Sequence, residues 1–153
     1  AAVLAWLEGG GRADATYERG EVSGLTLLMC AANYGHGRVV ELLLRRGAKV
    51  NLQNSDGVTA LMAAARCGHE RVVELLLRHG ADANLQKSDG DTAVVLAAME
   101  GHERVVELLL QHGAKVNLKD RGGNTALMYA TRDGHERVVD LLTRHGAEVS
   151  STA

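Results

Sequence analysis

The chain has 153 residues, about the size of one domain, and a formal net charge of −2 at pH 7 with its seven histidines counted as neutral. So small a charge gives no reason to expect nucleic acid or a membrane surface as the partner. The chain contains no Phe, no Pro and a single Trp, so its core is predicted to consist of Leu, Val, Ala and Met.

The cysteines and the lengths of the apolar runs indicate the cellular compartment in which the protein is expected. Cys30 and Cys67 form no CxxC pair and fall at different positions of the repeat described below, so we expect reduced thiols in an intracellular protein of the cytoplasm or nucleus. Apolar runs such as 94–98 are far shorter than the ~20 residues needed to span a bilayer. Residues 1–7 lack a basic start and Glu8 interrupts them, so no signal peptide is predicted.

A repeat of 33 residues organises the sequence. The stretch from Thr59 to Leu77 reads TALMAAARCGHERVVELLL, and similar text begins at Thr26, Thr92 and Thr125, each 33 residues from the next. A fixed period of this kind is typical of proteins in which stacked units share one continuous core. The chain is therefore predicted to be a single elongated domain, residues 1–153.

The first connection differs in length from the later ones. It carries Tyr17, Glu18 and Arg19 and is about two residues longer than the corresponding segment that ends at Thr59. The domain is accordingly divided into a partial repeat, residues 1–20, and full repeats at 21–53, 54–86, 87–119 and 120–153.

Each full repeat is predicted to form two helices and a hairpin. A threonine is placed to cap the first helix, because its hydroxyl can accept a hydrogen bond from a free backbone N–H. A glycine ends that helix, and the following HERVVELLL text has the apolar spacing of an amphipathic second helix. Another glycine ends the second helix in the left-handed conformation. A dipeptide whose second residue is glycine is predicted to form the hairpin turn. The turns are predicted at Ser23-Gly24, Asp56-Gly57, Asp89-Gly90 and Gly122-Gly123.

This text resembles the ankyrin repeat. The matching pattern is DGxTxLxxAAxxGHxxVVxLLLxxGAxxN, strongest from Asp56 to Asn84, and the resemblance covers nearly the whole chain. It implies an all-α repeat solenoid of stacked helix-turn-helix-hairpin units. The family's Thr-Pro-Leu-His is replaced by text such as Thr59-Ala60-Leu61-Met62. We expect the missing His to remove a polar link between units and Met or Val to replace it with apolar packing.

No motif for catalysis, metal or cofactor is recognised. The seven histidines recur with the period, which favours a structural role, and equivalent residues of units packed ~10 Å apart cannot share one zinc ion. Asp89-Gly90-Asp91 lacks the alternating acidic ligands and closing Glu of a calcium loop and is interpreted as a hairpin turn. The recurring arginines alternate with glutamates, which is typical of a solvated helix face. We therefore predict no catalytic residue, no metal and no cofactor, and hence no enzyme.

The last repeat is expected to end the array. Thr143 stands where the other repeats have Leu, and Thr131 replaces Ala. Terminal repeats need a polar outer face, so these residues are predicted to cap the stack.

The variable positions of the repeat are the candidate binding site. They lie beside the hairpin turn and just before the inter-helix glycine, the two places that in similar proteins line a concave surface that holds a partner. By matching position, the predicted partner-binding residues are Leu25, Asn33, Tyr34, Ser55, Asp56, Val58, Arg66, Cys67, Ser88, Asp89, Asp91, Met99, Glu100, Arg121, Asn124, Arg132 and Asp133. The alternative is that these positions are merely unconstrained surface.

The function favoured by this reasoning is a non-catalytic, monomeric module that binds another protein. The expected anchors are Tyr34, Arg66, Met99 and Arg132, and charge selectivity is assigned to Asp91 and Glu100. Two alternatives stay open: an engineered or consensus-like ankyrin scaffold, and the targeting domain of a larger enzyme. The sequence does not identify the partner.

Overall fold

The computed structural model describes residues 11–148, so half of the partial repeat predicted for residues 1–20 lies outside the described residues. Within them the chain forms one antiparallel strand pair followed by pairs of short helices. The elements are β1 (Thr16–Arg19), β2 (Val22–Thr26), α1 (Leu27–Asn33), α2 (Gly37–Arg45), α3 (Ala60–Cys67), α4 (Glu70–Arg78), α5 (Ala93–Met99), α6 (Glu103–Gln111), α7 (Ala126–Arg132) and α8 (Glu136–Arg144).

The helices form two layers. The first helices of successive repeats, α1, α3, α5 and α7, pack on one another, and so do the second helices α2, α4, α6 and α8. Each first helix also packs on the second helix of its own repeat. The all-α repeat solenoid predicted from the sequence is confirmed.

The core lies between the layers and contains the predicted residue types. Small side chains such as Ala64 and Ala65 of α3 have no exposed surface, which lets neighbouring first helices approach closely. On α4, Val73 and Leu76 are likewise fully buried. At roughly 25 cal/mol per Å² of apolar surface removed from water, a continuous core of this kind is the main stabilising term.

Three of the four first helices begin with an N-cap threonine whose side chain accepts a hydrogen bond from the first turn. The capping bonds run from the backbone N–H of Met29 to Thr26, of Met62 to Thr59 and of Met128 to Thr125, over 3.2, 3.2 and 3.3 Å. Thr92 was predicted to cap α5 in the same way. Thr92 does occupy the N-cap position, but the predicted hydrogen bond to its side chain is wrong, because none forms. Its hydroxyl is buried and has no partner among residues 11–148.

The first hairpin turns at a different place from the prediction. Tyr17 pairs with Leu25 and Arg19 with Val22, so the chain reverses at Gly20-Glu21 and not at Ser23-Gly24. The two additional residues of this connection explain the difference, because they let β1 extend and move the turn outwards. Ser23 and Gly24 lie within β2, although Gly24 keeps a left-handed φ of 72°.

Histidine side chains link successive repeats. The Nε2 of His69 donates to the carbonyl of Asn33 over 2.9 Å, and the ring covers Gly35 so closely that a Cβ there would lie 2.7 Å from it. His102 bonds in the same way to Arg66, and His135 to Met99. The polar link expected to be missing is therefore supplied by another histidine of the repeat.

Asparagine side chains link the repeats a second time. Asn84 accepts from the backbone N–H of Lys115 at 2.8 Å and donates to the carbonyl of Gly113 at 3.1 Å. The other members of this series, Asn51 and Asn117, make the equivalent two bonds to the repeat that follows them. Such bonds recur because every unit meets the same neighbour.

Candidate partner-binding surface

The hairpin turns of successive repeats are joined by backbone hydrogen bonds. Ser88 donates its N–H to Asp56 at 2.9 Å, and Arg121 donates to Asp89 at 2.9 Å. The Ser55 N–H makes the same bond to the Ser23 carbonyl at 2.8 Å. These bonds place the variable turn residues in one row, alongside the ends of the first helices.

Two adjoining cavities open between this row and the first helices. The first has a volume of about 270 Å³ and the second about 380 Å³. They share Asn33, Asp56, Val58, Ala63 and Arg66 as a common wall. We call the combined surface the inner groove, and the predicted residues that line it are Leu25, Asn33, Tyr34, Asp56, Val58, Arg66, Ser88 and Asp89.

Arg66 and Asp56 bring opposite charges to the shared wall. Arg66 is exposed at the end of α3 and forms no side-chain hydrogen bond or ion pair with the part of the chain that the structure describes. The carboxylate of Asp56, in the second hairpin turn, is exposed and equally without a partner there. Both charged groups are therefore available to a binding partner at no loss of internal contacts.

The first hairpin adds residues that the sequence reasoning missed. Tyr17 and Arg19 line the first cavity beside Tyr34, which is 54% exposed. Burial and the neighbouring Cys30 thiol raise the pKa of Tyr17 to about 12, and a hydrogen bond with the Tyr34 hydroxyl raises the pKa of Arg19. The signal was present in the longer first connection, but its length alone did not show that β1 reaches the groove.

Apart from Ser88 and Asp89, the predicted residues of the third and fourth repeats lie outside the inner groove. Met99 is half-buried against the core, and its carbonyl accepts from His135. Arg132 is exposed but pairs with Asp133, Nε to Oδ1 at 3.0 Å, and lies 4.9 Å above the Tyr129 ring. The residues that line neither groove cavity are Ser55, Cys67, Asp91, Met99, Glu100, Arg121, Asn124, Arg132 and Asp133.

Three of these residues still lie beside the groove. Ser55 accepts from the N–H of Ser23 at 3.0 Å, and the Cys67 thiol lies 3.5 Å from the Asn33 side-chain oxygen. Arg121 lines a separate cavity of about 420 Å³ that also includes Ser88.

Asp91 has a position that does not suit charge recognition. It was expected to face a partner, yet it is 5% exposed. Its carboxyl lies among Asp89, Lys87 and Asp120, and Tyr129 donates to Asp120. The sequence could not reveal this cluster, since Asp91 and Asp120 come from different repeats. Glu100, the other expected source of charge selectivity, is exposed.

The outer helix surface pairs its own charges. Arg71 approaches Glu41 at 3.8 Å, and Arg137 approaches Glu103 at 3.6 Å, each pair joining neighbouring repeats. Within α4, Arg78 and Glu74 lie 2.5 Å apart. The recurring arginines therefore belong to a mixed-charge surface, in contrast to the unpaired Arg66.

The histidines have structural partners and do not converge. His79 and His112 direct Nδ1 to a carbonyl one turn back in their own helices, at 2.9 Å. Among residues 11–148, no three His, Cys, Asp or Glu side chains are grouped so that they could hold a metal ion. No helix in this part of the chain is both long and apolar enough to cross a membrane.

The architecture defines a class: a solenoid of stacked two-helix repeats with a row of hairpin turns along one side. A family model described as ankyrin repeats (3 copies) matches residues 2–87 and 72–153. The chain belongs to the ankyrin-repeat family. A comparison with curated proteins gave no match. Ankyrin repeats are generally protein-protein interaction modules and are typically non-catalytic.

Proposed function

We propose that this chain is a non-catalytic module that binds a segment of another protein along the inner groove. The observation that carries the proposal is Arg66, a charged side chain without an internal partner on the wall shared by two cavities. Arginine is enriched among the residues that dominate binding energies, and an uncommitted guanidinium can form bidentate bonds with a carboxylate.

The groove is lined by both apolar and polar side chains. Leu25, Met29 and Val58 supply apolar surface in the first cavity, and Tyr34 supplies an exposed aromatic ring. Cavities of this size accept single side chains of a partner and are at or below the lower end of the range for small-molecule sites. This supports recognition of an extended peptide segment over recognition of a metabolite.

The titrating groups also support binding over catalysis. The pKa values of Tyr17 and Tyr129 are raised to about 12, so both phenols keep their protons at neutral pH. Asp91, with a pKa raised to about 6, is nearly fully buried and does not line the groove cavities. A general base must reach the proton that it abstracts, and Asp91 lacks that access.

Capture from a lysate of the source cell tests the proposal, with three versions of the chain as bait. Arg66→Glu reverses the charge on the shared wall, and Arg38→Glu makes the same change on the exposed outer surface of α2. We expect at least one protein, identified by mass spectrometry, to bind wild type and Arg38→Glu and to be depleted about tenfold or more with Arg66→Glu.

Folding controls separate lost binding from lost structure. Both arginines are exposed, so either change should leave the free energy of unfolding within about 0.5 kcal/mol of wild type. A set of captured proteins that is the same for wild type and Arg66→Glu would contradict the proposal.

A further inference from the structure

Asp91 is the one acidic residue at its position of the repeat. The equivalent residues are Leu25, Val58 and Asn124, so two repeats place an apolar side chain there and one places an amide. Asp91 directly precedes Thr92, the N-cap of α5, and is 5% exposed. A carboxyl group is therefore buried at the foot of the third hairpin, where no other repeat buries one.

The surroundings of Asp91 offer it no counter-charge that is not already paired. From its own hairpin it faces Asp89 and Lys87, and the Lys87 ammonium is paired with Asp89. From the fourth hairpin it faces Asp120, which accepts the hydroxyl of Tyr129 on α7. The Oδ1 of Asp91 is buried and has no hydrogen-bond partner among residues 11–148.

The cation beside Tyr129 is also paired. Arg132 lies over the Tyr129 ring and pairs with Asp133 at 3.0 Å. The described residues contain no group of acidic side chains suited to hold a metal ion. A buried carboxylate without a counter-ion is strongly disfavoured, and binding a proton is the remaining way to neutralise it.

The two facing carboxyl groups have different proton affinities. Burial raises the pKa of Asp91 to about 6, and the negative charges of Asp89 and Asp120 add to the effect. Burial acts on Asp120 too, but the hydrogen bonds from Tyr129 and from the N–H groups of Asn124 and Gly122 outweigh it and lower the pKa of Asp120. Of these two carboxyl groups, Asp91 therefore binds a proton more readily, and Asp120 is the one suited to accept a hydrogen bond.

We propose that the contact between Asp91 and Asp120 is a proton-dependent joint between the third and fourth hairpins. With its proton, Asp91 donates a hydrogen bond to Asp120 and the hairpins stay together. Without the proton, the buried Asp91 carboxylate faces the carboxylate of Asp120, and the joint loosens. The proposal concerns the stability of the array and stands whether or not the inner groove binds a partner.

The direction of the pH effect follows from the raised pKa. A group that binds its proton more tightly in the folded chain stabilises the fold at low pH. For Asp91 this stabilisation is complete below about pH 4, its ordinary range, and is lost as the pH rises through about 6. A pKa near 6 in place of the usual 3.8 corresponds to proton binding about 100-fold tighter in the folded chain than in the unfolded one.

Two substitutions taken from the repeat itself test the joint. Asp91→Asn has nearly the same shape, does not titrate and can still donate to Asp120, and it copies Asn124. Asp91→Val copies Val58 and removes the donor as well. Carboxyl resonances followed by NMR from pH 3 to 8 should show one group that titrates near 6 in wild type and disappears in both variants.

Urea unfolding at each pH gives the second readout. The pKa values of Asp89 and Asp120 are lowered, so both residues stabilise the fold less as the pH falls. The contribution of Asp91 is therefore measured as the difference in urea midpoint between wild type and Asp91→Asn. We expect Asp91→Asn to gain in urea midpoint over wild type as the pH rises from 4 to 7, mostly below 6, and the difference to level off above 7. A difference that does not change across this range would overturn the proposal.

The backbone hydrogen bond between the third and fourth hairpins shows directly whether the two hairpins stay together. The Arg121 N–H donates to the carbonyl of Asp89 at 2.9 Å. Its protection against hydrogen exchange, corrected for intrinsic rates, should fall from pH 5 to 7 in wild type and stay constant in Asp91→Asn.

The titration of Asp91 in wild type tests the proposal even if the Asp91 variants do not fold. An Asp91 carboxyl that titrates near 4 in the folded chain would overturn the proposal. Asp120→Asn removes the facing charge and should shift the Asp91 titration towards its ordinary range, whereas an unmoved titration would count against the contact.

Discussion

The second and fourth repeats have the same helices and turns but use equivalent positions differently. Arg66 at the end of α3 is unpaired on the wall of the inner groove, whereas Arg132 at the end of α7 is held by Asp133 and Tyr129. The difference lies in the side-chain partners, since the backbone is repeated. A residue becomes available for recognition only where its neighbours do not already satisfy it.

The same two repeats differ in how they meet a neighbour. Gly68 lies beneath the ring of His102, and a Cβ there would come within 2.7 Å of it, whereas a Cβ at Gly134 would meet no atom of residues 11–148 within 4 Å. Leu77 is 7% exposed, and its counterpart Thr143 is exposed. The second repeat is covered by the third, and the fourth presents its outer face.

Alanine at the inter-helix glycine should give the largest difference between the repeats. Both glycines have left-handed φ angles, 77° at Gly68 and 74° at Gly134, so alanine costs about 1–2 kcal/mol of backbone strain at either. Gly68→Ala must also displace the His102 ring, so we expect it to lower the free energy of unfolding by about 2–4 kcal/mol in total. Urea denaturation measures both variants.

A double variant sharpens this comparison. If the clash with His102 is the cause, His102→Ala should partly relieve Gly68→Ala, so that the two losses together are smaller than their sum. Equal losses for Gly68→Ala and Gly134→Ala would contradict the role of the neighbouring histidine.

Thr59 and Thr92 give a smaller contrast at the start of the first helices. Thr59 accepts the N–H of Met62 at 3.2 Å, and the Thr92 hydroxyl is buried without a partner in the described residues. Valine keeps the shape and removes the hydroxyl, so Thr59→Val should lower the free energy of unfolding by about 1 kcal/mol. Thr92→Val should leave it unchanged or raise it, because an unsatisfied polar group is removed. A loss at Thr92 equal to that at Thr59 would mean that both hydroxyls cap their helices.

The outer face of the fourth repeat should show the smallest effect. Thr143 Oγ1 donates to the carbonyl of Val139 at 2.7 Å and so keeps this face polar. Thr143→Leu restores the residue of the inner repeats and should promote weak self-association, which sedimentation velocity over a concentration series detects. Thr143→Ser keeps the hydroxyl and should remain monomeric, and a monomeric Thr143→Leu at all concentrations would argue against a solvated cap.

The sequence predicted those features that depend on the repeat. Neighbouring units pack in the same way, so the two helices of each unit, the capping threonines at 26, 59 and 125 and the left-handed glycines follow from the period. The first hairpin turn was placed wrongly, because the effect of two additional residues depends on how far β1 extends. Thr92, without its capping bond, is a second exception, and nothing in the structure explains it.

The candidate surface was predictable only as a set of positions. Variation between repeats identified the hairpin tips and the helix ends, but it could not show which side chains already have partners. The burial of Asp91 against Asp120 depends on how two repeats pack in three dimensions. Tyr17 and Arg19 were missed for the same reason.

The difference between Arg66 and Arg132 is tested most directly by the affinity of a captured partner for two charge reversals. Isothermal titration should give a dissociation constant about 30-fold weaker for Arg66→Glu, the effect of losing about 2 kcal/mol, and within about threefold of wild type for Arg132→Glu. A larger loss for Arg132→Glu than for Arg66→Glu would contradict the assignment of recognition to the inner groove.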